Sequence, residues 1–155
     1  MTDRRKKLYA NWAELSEIIE RAHANLQRTY DEVQKINLDK VEKIQEIEWE
    51  AQKDIESLTA RFARLSDIHS QKFLRLVDRI EAEMDGSIID SFNRAEKRQL
   101  IDSAEDFINI RDTRNDIAHE YVPEALLNIF RDVIKYTPIL LQACEKALIY
   151  AKTKS

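Results

Sequence analysis

Polar chemistry in this chain is concentrated in one stretch, residues 111–121, which reads Arg-Asp-Thr-Arg-Asn-Asp-Ile-Ala-His-Glu-Tyr. An imidazole titrates near neutrality and so can take up or give a proton, while a guanidinium offers forked donors to an anion. His119 and Arg114 supply one of each. On a helix turning about 100° per residue, the apolar stripe of this stretch runs Phe107, Ile110, Ile117 and Tyr121, and Arg114 falls in its middle. A guanidinium facing a core is costly unless it is paired or opens onto a water-filled site. Asn115 and His119, four residues apart, share a neighbouring face with Asp112. Arg114 and His119 are five apart, and on an ideal helix they diverge by roughly 140°. Serving one site therefore requires a distorted helix end, a long reach by Arg114, or a second chain. Pro123 permits the distortion, because it pushes Val122 out of helical geometry and ends the helix near Tyr121.

These residues resemble the signature of the HEPN superfamily, in which Arg, four to six arbitrary residues and His mark an RNase site. The narrower form Arg-x-x-x-x-His-x-Tyr, with Asn directly after the Arg, is similar to that of HepT toxins; Arg114, Asn115, His119 and Tyr121 occupy those positions. The resemblance covers roughly residues 60 to 150. It implies a metal-independent endoribonuclease of a type II-like toxin–antitoxin pair, with RNA as substrate, no cofactor and a symmetric homodimer in which two motif helices pool their sites. Metal-free cleavage needs a base for the 2′-OH proton, which suits His119, and a cation for the phosphate, which suits Arg114. Asn115 either orients phosphate or imidazole or bonds the backbone. The implied partner is a minimal nucleotidyltransferase antitoxin that uses ATP to attach AMP to Tyr121, which silences the toxin. Tyr121 equally suits the end of the core stripe. The competing class is a non-catalytic binding subunit of a nucleotidyltransferase. A purely structural helical adaptor ranks last, because it leaves Arg114 in the apolar stripe unexplained.

Other candidates weigh less. Arg94, Lys97, Arg98 and Arg111 form the local basic group near the motif, either guiding RNA or lying as surface charge. His23 and His69 have no partners in sequence; His23 is expected to face solvent and His69 to lie along a packing seam. Glu46, Glu48, Glu50 and Asp54 read as a solvated face and not as a metal site. Trp12 and Trp49 are placed to meet across a hairpin.

The elements that must hold the motif are helices. One Gly, two Pro and 35% charged residues in a chain of 155 describe a single mostly helical domain, residues 1–155, with 43% hydrophobic content for its core. A net charge of −4 gives no global reason for nonspecific DNA or membrane binding, so any nucleic-acid contact must be a local patch. Cys144 stands alone, which excludes a disulfide framework and a cysteine metal site and fits a reduced cytoplasm. No apolar run approaches the roughly 20 residues of a membrane span, and no signal-peptide core follows the basic start.

Leu8, Trp12, Leu15, Ile19, Ala22, Leu26 and Val33 recur at helical steps and predict a helix over 4–35, with Asn37 or Asp39 capping the next. A second helical stretch is expected over 39–84. Its apolar positions Phe73, Leu76, Ile80 and Met84 run slightly out of phase with those before them, and a break near Ser66 and Asp67 is the alternative. Its first half, 39–60, is thinly apolar and reads as the projecting part of a long N-terminal hairpin. Asp85, Gly86 and Ser87 predict a stop, followed by a short helix over 88–98. Asp102 or Ser103 caps the motif helix, and Pro123 starts a last helix that Pro138 should kink. The expected fold is all-α: an up-and-down four-helix HEPN-type bundle with an extra short helix.

Overall fold

A computed structural model describes residues 3–81, 86–120 and 122–154, with the backbone alone for 4–10. Met84, Asp85, Tyr121 and the side chain of Leu8, all used in the sequence reading, lie outside the described residues. Five helices and no strand occur among the described residues. They are α1 (Asp3–Val33), α2 (49–80, running through Trp49–Asp67, a π turn Ile68–Phe73 and Leu74–Ile80), α3 (Ile88–Lys97), α4 (Ala104–His119) and α5 (Pro123–Lys154).

Pairs far apart in sequence give the directions. Trp12 meets Phe73 while Asn25 meets Arg61, so α1 and α2 run antiparallel. His69 stacks on Phe107 while Asp67 meets Arg114, so α2 and α4 are antiparallel as well. Trp12 against Tyr150 and His23 against Glu145 set α5 antiparallel to α1. The centre holds Trp12, Phe62, Phe73, Phe92, Ile101 and Ile110, each all but inaccessible to water. Trp12 packs edge-on against Phe73 and Tyr150, at 5.7 and 5.6 Å between ring centroids. It does not meet Trp49, which opens α2 and is 69% exposed.

The phase slip expected in the second helix has a structural cause. After Leu65 one line of buried positions runs through His69, Phe73 and Val77, three successive steps of four residues. Each such step overshoots an α-helical turn by about 40°. The wider π turn over Ile68–Phe73 absorbs the excess, so the helix continues where a break was the alternative.

The segment before α2 departs from expectation. Residues 39–48 are not a projecting helix but an irregular connection with one short turn, Ile44–Glu46, and they lie down on α5. Arg131 donates to the carbonyls of Leu38 and Val41 at 3.1 and 2.6 Å. Gln52 donates to those of Ile44 and Ile47, and Leu38 and Ile47 are buried. Val41 and Ile44 are too sparse among acids to hold a helix against these competing side-chain bonds. Asn37 accepts from the amide of Asp39 in a local turn and caps no helix.

Ser87 and Asp90 form a reciprocal capping box on α3. Gly86 therefore precedes a helix start and has no positive φ, in place of the C-terminal role expected of it. Instead Gln99 takes the left-handed conformation, φ 61°, behind α3, and Leu100 N–H bonds the Ala95 carbonyl at 2.9 Å to close the helix. Ser103 caps α4, and α5 begins at Pro123 and carries Pro138 without interruption. No helix among the described residues is long and apolar enough to cross a membrane.

Candidate functional site

Helix α4 turns Phe107, Ile110 and Thr113 into the core, and Thr113 bonds back to the Asn109 carbonyl at 3.0 Å. Thr113, not Arg114, is thus the buried position at this level. Arg114 stands one residue round, at the rim facing α2. Its Nε and Nη2 donate to the two carboxylate oxygens of Asp67 at 2.7 and 2.9 Å. This forked pair answers the cost of a guanidinium beside the core, and bonding to Asp67 raises the Arg114 pKa.

Asp67 is the last residue before the π turn, and the widened backbone beyond it brings Ser70 and Gln71 to the same place. Together with Ser66, Arg111, Arg114 and Asn115 they line a shallow cleft of about 280 Å³. Two guanidinium groups and two amides face one carboxylate there, so the cleft suits an anion that can exchange with Asp67. Arg111 makes no ion pair among the described residues.

The structure therefore brings Arg111, Arg114 and Asn115 together and leaves His119 apart. His119 is the exposed last residue of α4 and does not line the cleft, as the divergence of a regular helix requires. Tyr121 lies outside the described residues. Arg94 and Arg98 also stand elsewhere. Both bond the carboxylate of Asp78, which is 1% exposed and also accepts from Ser91. Burial pushes the Asp78 carboxyl up, but the bonds from Arg94, Ser91 and Arg98 more than offset this and hold its pKa at about 2. Of the three cations at the end of α3, Arg94 and Arg98 thus bond a buried acid, and Lys97 is exposed beside them.

Asp67, Ser70 and Gln71 escaped sequence reasoning; the one signal was the polar interruption of an apolar rod at Ser66 and Asp67. His69 is on the packing seam as expected, wholly buried between Phe73 and Phe107, with neither ring nitrogen hydrogen-bonded among the described residues. Burial lowers its pKa to about 4, so the ring is neutral. His23 is half-buried beside Glu145, at 3.7 Å, and does not face open solvent. Glu46, Glu48, Glu50 and Asp54 are all exposed, and no metal-ligand cluster occurs among the described residues.

Comparison with protein-family models, with curated proteins and with solved structures found no match to this chain. What fold and site define together is an all-α bundle with a guanidinium–carboxylate cleft between two of its helices.

Proposed function

We propose that this chain is a HEPN-type endoribonuclease toxin of the HepT kind, acting without a metal as a symmetric dimer. The observation that carries the reading is the placement of the motif: Arg114 and Asn115 sit at the mouth of a polar cleft, and His119 is exposed at the terminus of the same helix. In this mechanism Arg114 exchanges Asp67 for a phosphate, and His119 takes the 2′-OH proton. The 2′-oxygen bonds to phosphorus, the bond to the 5′-oxygen breaks, and that oxygen leaves with a proton from water. The products are a 2′,3′-cyclic phosphate and a 5′-hydroxyl. Facing motif helices across a twofold axis would place one chain's His119 near the other's Arg114, which supplies what one chain lacks.

The test is cleavage of a defined RNA by wild type beside His119→Ala and Arg114→Ala, with products analysed for the cyclic phosphate. Each variant should lose on the order of 10²-fold or more. Equal cleavage by all three refutes the assignment. The proposed partner is a minimal nucleotidyltransferase that adds AMP to Tyr121. In coexpression, Tyr121→Phe should remain unmodified by intact mass and stay toxic, and AMP on Tyr136 or Tyr150 would refute that choice.

A second reading is favoured by one specific observation: within one chain Arg114 is already satisfied by Asp67, and His119 is outside the cleft. A non-catalytic subunit that uses the motif for assembly with a nucleotidyltransferase would look the same. Tight partner binding with no RNA cleavage selects it.

A further inference from the structure

A local exception to the chain's negative charge lies on the outer edge of α2. Between residues 57 and 80 this helix carries five cations, Arg61, Arg64, Lys72, Arg75 and Arg79, at intervals that keep them near one face. Its two carboxylates in that span, Asp67 and Asp78, are taken by Arg114 and by Arg94 and Arg98. Arg61 is held by neutral acceptors, the Asn25 carbonyl and the Thr29 hydroxyl, and Arg75 by the Gly86 carbonyl and the Ser91 hydroxyl. Arg64, Lys72 and Arg79 are exposed and make no ion pair among the described residues. The face therefore keeps its positive charge.

That edge lines a groove against α1. Two clefts of about 310 and 470 Å³ share Ile18, Arg64 and Ile68 and so form one track along the α1–α2 seam. Arg21 joins the cations from the α1 side, and Glu14 is the one carboxylate in the lining. The floor is apolar, with Ile18 41% exposed. Arg61 to Arg79 spans about 27 Å of helix, enough for several nucleotides. Gln71 lines both this groove and the cleft that holds Arg111, Arg114 and Asn115, so the two are neighbours across the π turn.

We propose that the α1–α2 groove is the track for a single RNA strand, its cations on successive phosphates, delivering the strand to the Arg114 cleft. The choice of RNA over another polyanion rests on the proposed cleavage function; the groove's charge and its continuity with the cleft do not. The track replaces Arg94, Lys97 and Arg98 as the guiding surface, because two of those are spent on Asp78.

The test measures anisotropy of a labelled 2′-O-methyl oligouridylate, which cannot be cleaved through its 2′-oxygen, over a range of salt. Combining Arg64→Ala, Lys72→Ala and Arg79→Ala removes three phosphate contacts. At about 0.1 M salt the affinity should fall about 100-fold, and the slope of log affinity against log salt should flatten by about 2. A control that removes Lys35, Lys53 and Lys135 should bind as wild type does. Thermal melts at the wild-type temperature verify that the triple variant is folded, and Arg64→Ala alone, expected to lose about fivefold, gives a second reading. No binding by wild type, equal binding by the triple variant, or an equal loss in the control overturns the proposal. Tighter binding of polyglutamate than of RNA also overturns it, making the groove a docking face for an acidic protein. Groove-dependent binding without RNA cleavage would retain the track and refute the catalytic reading; cleavage that survives the triple variant unchanged would do the reverse.

Discussion

Replacing Asp67 with Asn tests whether Arg114 is held in reserve. The substitution keeps the shape and one acceptor but removes the charge that competes with a phosphate for the guanidinium. The pair is forked, at 2.7 and 2.9 Å, which favours it over an ordinary surface pair. Its side chains are 32% and 43% exposed, so water and salt screen it and its worth is limited to about 1 kcal/mol. A loss of that size should lower the melting temperature by about 2–4 °C in a domain of this length. The same energy no longer opposes an incoming anion, so Asp67→Asn should bind the uncleavable RNA about fivefold more tightly.

Anisotropy at low salt reads the affinity. A thermodynamic cycle with Arg114→Ala reads the pair energy, expected at about 1 kcal/mol and shrinking as salt rises. The competing role of Asp67 is to position Arg114, which would lower turnover while affinity increases. The two effects separate in kcat and KM, and neither weakens binding. Weaker RNA binding by Asp67→Asn, or a cycle energy near zero, would show that Asp67 does not compete for Arg114 and would refute the reasoning.

Acid should destabilise the fold in two stages. His69 is neutral in the folded chain, with a pKa near 4 against 6.5 for an ordinary histidine, so the unfolded chain binds the extra proton. Stability is full above pH 6.5 and falls by about 3 kcal/mol towards pH 4; His69→Leu should erase that slope and leave the protein no less stable at neutral pH, as urea melts across the range will show. Asp78 titrates at about 2 in the fold against 3.8, so its contribution of about 2 kcal/mol is present above pH 3.8 and lost towards pH 2; Asp78→Asn should remove that second limb. Gln99→Gly relieves a left-handed non-glycine residue, φ 61°, and should raise stability by about 1 kcal/mol in the same melts. Trp49→Phe should leave blue-shifted emission from Trp12 that resists acrylamide, because Trp12 is 0% and Trp49 69% exposed; red, quenchable emission would contradict the packing.

What the sequence made legible was local. The start of α1, the Ser103 cap, the start of α5 at Pro123 and the extent of α3 follow from periodicity and capping, which act within a few residues. The phase slip in α2 was visible as well, though not that a π turn would absorb it. The partner of Arg114 was not legible, because Asp67 lies 47 residues away and only packing α2 on α4 joins them. Arg94 and Arg98 read as RNA-guiding or surface charge for the same reason: Asp78, in another helix, is what they answer. Residues 39–48 misled because their spacing fits a helix, whereas Arg131 and Gln52 supply backbone partners that a helix would have supplied itself.

These distant pairings bear on how the site could work. Arg114 is tied to Asp67, so a phosphate reaches that guanidinium only by displacing the carboxylate. A lone nucleotide brings little to that exchange. A strand lying along the α1–α2 groove brings several phosphates to Arg61, Arg64, Lys72 and Arg79 at once, and their attraction holds the next phosphate at the cleft at high local concentration. A preference for long RNA over mononucleotides would then arise in the groove, while the Asp67–Arg114 pair opposes small anions at Arg114. His119, outside the cleft of its own chain, would meet the strand only where a second copy completes the site, so occupancy of the groove and assembly of the dimer become separate requirements for cleavage.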